Sequence, residues 1–270
     1  MKTDLHSHSD FSPDGTEPLS AMVKRAEALR LSYYGISEHF DYDYVADGIP
    51  FENGEPPRLT DAETYFKTAH ALQKSAKMRF LVGGEFGFTQ NPKATEPYLR
   101  LIETYRPDFV INSVHTQGTF DYYDREAHAS VPKQALYEEY LRLVLLSLNA
   151  PYPYDIVGHL GYCTRYVSYA DPALRYADFR EILDRIFDEI VARDKILEVN
   201  TSSPSFLPGR ELLETYFRRG GRKISFASDA HASARIAHGW EEVVPILREI
   251  GFQGVTVPDR GEHVFLPFDE

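Results

Sequence analysis

With one cysteine, Cys163, among its 270 residues, the chain cannot form an internal disulfide, and a reducing, cytoplasmic home is expected. Long apolar runs are missing too. None approaches the ~20 residues that a membrane-crossing helix needs. The opening Met1-Lys2-Thr3-Asp4-Leu5-His6 lacks the apolar centre of a secretion signal, so no membrane partner is expected. Basic residues are in short supply, with 29 Lys and Arg against 41 Asp and Glu, a formal charge of −12. That balance argues against nucleic acid as a partner, because a basic face supplies most of that affinity. It leaves room for a small phosphorylated substrate, since bound cations can reverse the local field. A glycine-rich phosphate loop is absent after the first apolar run, which counts against a doubly wound nucleotide-binding fold.

What the chain does have is the make-up of a folded domain. With 43% hydrophobic and 26% charged residues, disorder, fibrous repeats and coiled coils are excluded. Short apolar runs at 2–8, 33–39, 79–86, 109–115, 154–160, 196–201 and 224–231 have the length and the Val, Ile, Leu, Phe and Tyr content of strands. Helical periodicity fills the gaps, most clearly over 19–31 and 176–193, and also at 61–77, 95–105, 132–148, 210–219 and 240–250. Seven strand–helix units in series predict a parallel sheet, at this length a closed barrel, within one domain spanning 1–270. Two inserts, 41–60 and 116–131, follow strands and are expected to line a site, and 254–257 reads as one more strand.

Ten histidines form the next signal, because His6, His8, His39, His115, His159 and His231 all fall at the ends of predicted strands. Glu85 and Asp229 do the same. In a parallel barrel those ends share one face, so residues remote in sequence meet in one pocket. In His6-Ser7-His8 the two-residue strand period points both imidazoles to one side, and Asp229-Ala230-His231 repeats the spacing. A lone histidine is more often a satisfied core or surface residue. Eight ligand-type side chains at equivalent places favour a metal centre, and imidazole with carboxylate suits Zn, Mn or Fe.

The ordered set His6-Ser7-His8, Ser12-Pro13-Asp14-Gly15, Ser37-Glu38-His39, Gly83-Gly84-Glu85, Ser113-Val114-His115, Val157-Gly158-His159 and Ser228-Asp229-Ala230-His231 resembles the polymerase and histidinol phosphatase (PHP) superfamily over nearly the whole chain. Glu38-His39-Phe40-Asp41-Tyr42-Asp43, Asn112-Ser113-Val114-His115, Arg165-Tyr166 and Glu198-Val199-Asn200-Thr201-Ser202 are most similar to its histidinol-phosphatase branch. The resemblance implies a distorted α/β barrel of seven units with parallel strands, carrying two or three divalent metal ions at the C-terminal ends of the strands. It implies that His6, His8, Glu85 and Asp229 hold one metal. Glu85 would then bridge to a second, completed by His115 and His159, and Asp14, His39 and His231 would hold the third. Many members have histidine where this chain has Asp14, and an aspartate in a Pro-Asp-Gly turn also reads as an ordinary turn former.

The activity this implies is hydrolysis of L-histidinol phosphate to L-histidinol and phosphate, in histidine biosynthesis. A hydroxide bridging two metals would attack phosphorus in line, with Glu85, Asp229 and His231 in catalytic positions. Arg165, six residues past His159, is the first candidate for the substrate phosphate, with Arg210 and Arg235 behind it. A surface ion pair is the equal alternative for Arg165. The loop 202–209 is short and poor in basic residues, so it offers little further phosphate contact. Histidinol is cationic, and Asp41, Asp43, Asp121 and Asp124, with Tyr42, Tyr44, Tyr122 and Tyr123, lie in the inserts where such a group would be met. Two other readings stay open. The same centre serves another small phosphomonoester or a nucleotide, or the chain is a metal-binding module without activity. His70, His128, His238 and His263 read as non-catalytic, and the oligomeric state is unknown.

Overall fold

The computed structural model describes residues 1–50, 57–203 and 205–268, so part of the first insert, with Pro56, lies outside the described residues. Seven parallel strands stand in sequence order in one sheet: β1 (Thr3–Asp4), β2 (Tyr33–Phe40), β3 (Arg79–Gly87), β4 (Phe109–Ser113), β7 (Ile156–Val157), β8 (Ile196–Asn200) and β9 (Ile224–Ala227). The sheet curls until β9 meets β1. Leu5 N donates to Phe226 O, Asp229 N to His6 O, and His8 N to Ala230 O, at 2.8–3.1 Å. The architecture is a distorted (β/α)7 barrel, as expected.

Helices wrap the outside: α1 (Leu19–Ala28), α3 (Ala62–Gln73), α4 (Thr95–Tyr105), α6 (Lys133–Ser147), α7 (Arg180–Ala192), α8 (Arg210–Arg218) and α9 (Trp240–Ile250). Each buries one stripe, such as Leu183, Ile186, Phe187 and Ile190 on α7, as the 3.6-residue period requires. The central strands are buried on both faces, which is why they read as near-continuous apolar runs. Inside, the ring of Phe109 fills the space beside Gly35 and Gly83. A Cβ at either glycine would come within 2.8 Å of that ring, so side chains there would displace it.

Several expected elements differ in extent. The first and fifth strands shrink to two residues each. The seventh ends at Ala227, four residues before His231, because Asp229 adopts a left-handed backbone (φ 51°) that breaks the strand. The predicted helix over 176–193 begins with a 3₁₀ turn, Tyr176–Asp178. The inserts carry structure of their own: α2 (Tyr42–Asp47) in the first, and a small hairpin, β5 (Thr116–Gln117) and β6 (Phe120–Asp121), then α5 (Arg125–His128), in the second. The expected last strand is β10 (Gly254–Asp259), paired antiparallel with β11 (Glu262–Pro267) rather than added to the barrel. Its turn crosses the foot of the barrel, where Arg260 Nε donates to Asp108 Oδ1 and Arg79 grips Asp259 twice. No helix among the described residues is long and apolar enough to cross a membrane.

Candidate metal centre

At the C-terminal mouth of the barrel the expected ligands converge. The register of β2 on β3 sets His39 directly beside Glu85. His6 and His8 follow β1, His115 follows β4, His159 follows β7, and Asp229 and His231 follow β9. All but Asp14, His39 and His231 are buried.

Glu85 is the hub. Its Oε1 lies 3.1 Å from His115 Nε2 and 2.9 Å from His159 Nε2, and those two nitrogens face each other at 3.2 Å. Its Oε2 lies 3.1 Å from His6 Nε2, 3.5 Å from His8 Nε2 and 3.1 Å from His39 Nδ1. Asp229 Oδ1 closes the first group, 3.6 Å from His6 and 3.4 Å from His8. On the outer side Asp14 Oδ2 lies 2.9 Å from His231 Nε2 and 3.6 Å from His39 Nε2.

Close approach does not make these atoms hydrogen-bonded. His6 Nε2, His8 Nε2, His39 Nδ1, Glu85 Oε2 and His231 Nε2 are buried with no hydrogen-bond partner. Buried polar atoms are nearly always paired, and five orphans pointing into one space ask for a cation. Electrostatics agree. Burial pushes the Glu85 and Asp229 carboxyls up, but the histidines around them, with Arg165 beside Asp229, hold both well below the ordinary range. Burial, with His39 and His231 alongside, drives His8 down to about 3, so its imidazole offers a lone pair at neutral pH. His6 and His39 go the other way, raised against burial by their carboxylate neighbours, so a metal bound there displaces protons. Compact donor groups form around His6, His8 and Glu85, around Glu85, His115 and His159, and around His8, His39 and His231. The donor set fits divalent cations.

Other residues fix these candidate ligands; the sequence placed them in the motifs of the resemblance but gave them no role. Glu198 accepts from His6 Nδ1 at 2.8 Å and from His159 N at 2.9 Å, which aims the far nitrogen of His6 at Glu85. Asn200 Nδ2 donates to Glu198 and Ser113 Oγ to Glu85. Glu38 gathers Ser9 and Ser12, shaping the loop after His8. A carboxylate inside an apolar strand was the available signal, since a buried charge must have partners. Asp41 is a further surprise, forming a donor group with His39 and His115. Burial pushes its carboxyl up to about 6 despite His39 and His115.

Above the ligands lies a cavity of about 1180 Å³, into which Asp41, Asp121, Asp124, Tyr44, Tyr123 and Arg165 all reach. Arg165 is no surface ion pair. Its side chain is 8% exposed, Nη1 donates to Asp229 Oδ2 at 3.0 Å and Nη2 to Asn200 Oδ1 at 2.7 Å. Arg235 lines a smaller neighbouring cavity. Four candidates are placed elsewhere, one of them Tyr42, which packs on Phe40 and Tyr98. Arg210 starts α8 on the outer surface, tied to Glu214 and Glu249 at 2.8 Å each. Asp43 faces inward from α2, packed so closely on Gly87 that a Cβ there would come within 2.2 Å of its carboxyl, and burial raises its pKa to about 8. Tyr122 is a core residue. His128 is buried on Tyr122 O and His263 pairs with Lys223, in keeping with non-catalytic roles.

Comparison with known proteins agrees with this geometry. A family model described as PHP domain matches residues 4–202. A protein of Clostridium acetobutylicum named probable histidinol-phosphatase is 27% identical over 264 residues, covering 96% of this chain and 98% of its own. The histidinol-phosphatase of Lactococcus lactis is 29% identical, covering 93% of this chain and 92% of its own. A crystal structure of the histidinol phosphate phosphatase from Lactococcus lactis, complexed with zinc, L-histidinol and phosphate, superposes with a TM-score of 0.84 at 28% identity over 97% of this chain and 98% of that one. A putative histidinol phosphatase from Listeria monocytogenes shares the fold, with a TM-score of 0.76 at 20% identity, covering 89% of this chain and 99% of its own. Ordered motifs, a closed seven-stranded barrel and a family match across most of its length lead to one conclusion: the chain belongs to the PHP domain family.

Proposed function

We propose that the protein is a metal-dependent phosphomonoesterase that hydrolyses L-histidinol phosphate to L-histidinol and phosphate, a step of histidine biosynthesis. The observation that carries this reading is the set of buried, unpartnered donor atoms beneath a cavity with a carboxylate and tyrosine wall. Full-length similarity to histidinol-phosphatases, one of them crystallised with L-histidinol and phosphate, supports the choice of substrate.

His6, His8, Glu85 and Asp229 would hold one metal, Glu85, His115 and His159 a second, and Asp14, His39 and His231 a third. Zinc suits the imidazole–carboxylate set, as do manganese and iron. Such a centre supplies charge neutralisation for the phosphoryl oxygens and acidifies water near neutral pH. Everything else is the work of the chain. Glu85 and Asp229 stay ionised and keep the ligands close. Arg165, locked by Asp229 and Asn200, presents its remaining N–H groups to phosphate oxygens without having to be ordered first. Asp41 and Asp121 set negative charge where the ammonium and imidazole of histidinol lie. Tyr44 fixes Asp121 by donating to Oδ2 at 2.7 Å, and Tyr123 and Tyr166 add ring faces. Asp14 beside His231 raises the pKa of that imidazole against burial.

The single buried cysteine fits a cytoplasmic enzyme. The test is phosphate release by purified protein from L-histidinol phosphate and from an aryl phosphate, with Zn, Mn, Fe or chelator added. A strong, chelator-sensitive preference for histidinol phosphate is expected. Equal or better turnover of the aryl ester would leave a phosphoesterase and remove the histidinol assignment.

A further inference from the structure

Opposite the metal centre, at the foot of the barrel, a cavity of about 860 Å³ is walled by the C-terminal ends of α3 and α4, the start of β3 and the β10–β11 turn. Its wall is basic, although the chain as a whole carries a formal charge of −12. Lys74, Arg79, Arg106 and Arg260 stand in it against one carboxylate, Asp108. That carboxylate is buried and already accepts from Val82 N, Gln73 Nε2 and Arg260 Nε. Arg79 is held twice by Asp259. Lys74 and Arg106 are exposed, and neither side chain has a hydrogen bond or an ion pair among the described residues.

Cations at helix ends are expected, because the last carbonyls attract them. Four helices carry one at the capping position of the C-terminus: Lys74 on α3, Arg106 on α4, Arg193 on α7 and Arg219 on α8. Arg193 pairs with Glu189 at 2.8 Å and Arg219 with Asp188 at 2.6 Å. The two left bare are the two that share a cavity. Between them in the wall stands the half-buried ring of Tyr105. Phe66 stacks on it at 4.7 Å with the planes 6° apart, which holds it as a platform for a flat ring. The space is that of a small organic ligand, far more than a lone phosphate fills.

We propose that the foot cavity binds a nucleoside diphosphate, its phosphates met by Lys74 and Arg106 and its base laid against Tyr105. Two unpaired cations suit a diphosphate, and the paired Arg79 and Arg260 add to the field that attracts it. The site is separate from the metal centre and does not rest on the phosphomonoesterase reading.

Equilibrium dialysis of adenosine 5′-(α,β-methylene)diphosphate, whose P–C–P bridge resists hydrolysis, against the full-length, metal-loaded protein tests it. The wild type should bind this probe at least about tenfold more tightly than Lys74→Ala/Arg106→Ala. Both side chains are exposed and unpaired, so their removal leaves the fold alone. Diphosphates also bind metal ions, and Glu85→Gln, expected to lose metal from the mouth, separates the two places. It should keep the nucleotide at the foot. Equal binding by wild type and double variant, or loss of the nucleotide in Glu85→Gln, would overturn the proposal.

The base is tested in the Glu85→Gln background. Adding Tyr105→Leu should weaken the nucleotide at least about fivefold and leave methylenediphosphonate, which has the bridge without the nucleoside, unchanged. That unchanged binding also shows that the variant is folded. Equal affinity for nucleotide and methylenediphosphonate would remove the nucleoside and overturn the assignment. Tighter binding of oligoadenylate, lost in the double variant, would make the foot an RNA contact and overturn it too. Should the protein cleave no phosphoester, the enzymatic reading fails while the dialysis still decides the foot.

Discussion

At the foot of the barrel Asp108 accepts from Val82 N, Gln73 Nε2 and Arg260 Nε, and Asp155 accepts from Val110 N, all within 2.9 Å. At the mouth, His6, His8, His39, Glu85 and His231 each keep a buried atom with no partner. Both ends bury charge, and the fold has satisfied one and left the other open. The open end is not badly made, for several of its histidines are held on one side. Glu198 takes His6 Nδ1 and Ser12 Oγ lies 3.3 Å from His8 Nδ1. For His6, His8, Glu85 and His231 what is missing is the inward partner, while His159 is the reverse, with Nε2 on Glu85 and Nδ1 bare. A polar cluster whose outer faces are tied and whose inner faces are bare is a receptor, whereas a cluster tied on every face is a fastening.

Breaking each end should therefore produce different kinds of damage. Glu85→Gln removes the carboxylate shared by five histidines, and we expect kcat/KM for the phosphomonoester to fall at least about 10³-fold, equivalent to about 4 kcal/mol of lost charge stabilisation. Metal content, read by elemental analysis, should fall with it. Chelation of the wild type should imitate the variant and be reversed by zinc. If Glu85→Gln keeps both metal and activity, the mouth is a structural cluster like the foot.

Asp108→Ala is the matching cut below. It strands Val82 N, takes away one of the two acceptors of Gln73 Nε2 and releases Arg260, which should cost about 2–4 kcal/mol in denaturant unfolding. The folded fraction should keep its metal and its KM. Loss of metal without loss of stability would mean that the foot and the mouth are not independent.

The contrast between the two ends also marks what the sequence could reveal. The convergence of the candidate ligands was legible because strand ends are legible. His39 and Glu85 close long strands buried on both faces, and parallel topology puts such ends together. Strand lengths were less so, since β1 and β7 keep two residues each and the segments bearing His6, His8 and His159 run on as irregular chain. Substituents on inserts were least legible. Asp43 looked available for substrate, but α2 is one short helix whose inward face no periodicity announced. Glu198 was visible as a charge within an apolar strand, and only its two bonds gave it a role.

That role defines an intermediate case, a fully bonded carboxylate at the mouth. Glu198→Gln keeps size and most hydrogen bonding but weakens the hold on His6 Nδ1. Loss of such outer partners typically costs 10–100-fold in metal affinity or activity. We expect a drop of about that size, recovered in part by excess metal, with little change in unfolding. A variant indistinguishable from wild type would show that Glu85 and Asp229 alone orient His6.

Arg210 sets the lower bound of the comparison. Its guanidinium meets Glu214 and Glu249 on the outer surface, where solvent competes for both partners and the contacts contribute little. By residue type and by its position after β8 it resembled a phosphate ligand as closely as Arg235 did. The difference between them is that Arg210 is already paired outside the site, while Arg235 is unpaired beside it. Arg210→Ala should therefore change KM by less than about twofold. A larger rise in KM would mean that α8 swings its first turn toward the mouth when substrate binds, and the surface pairing would then be a resting position of a working residue.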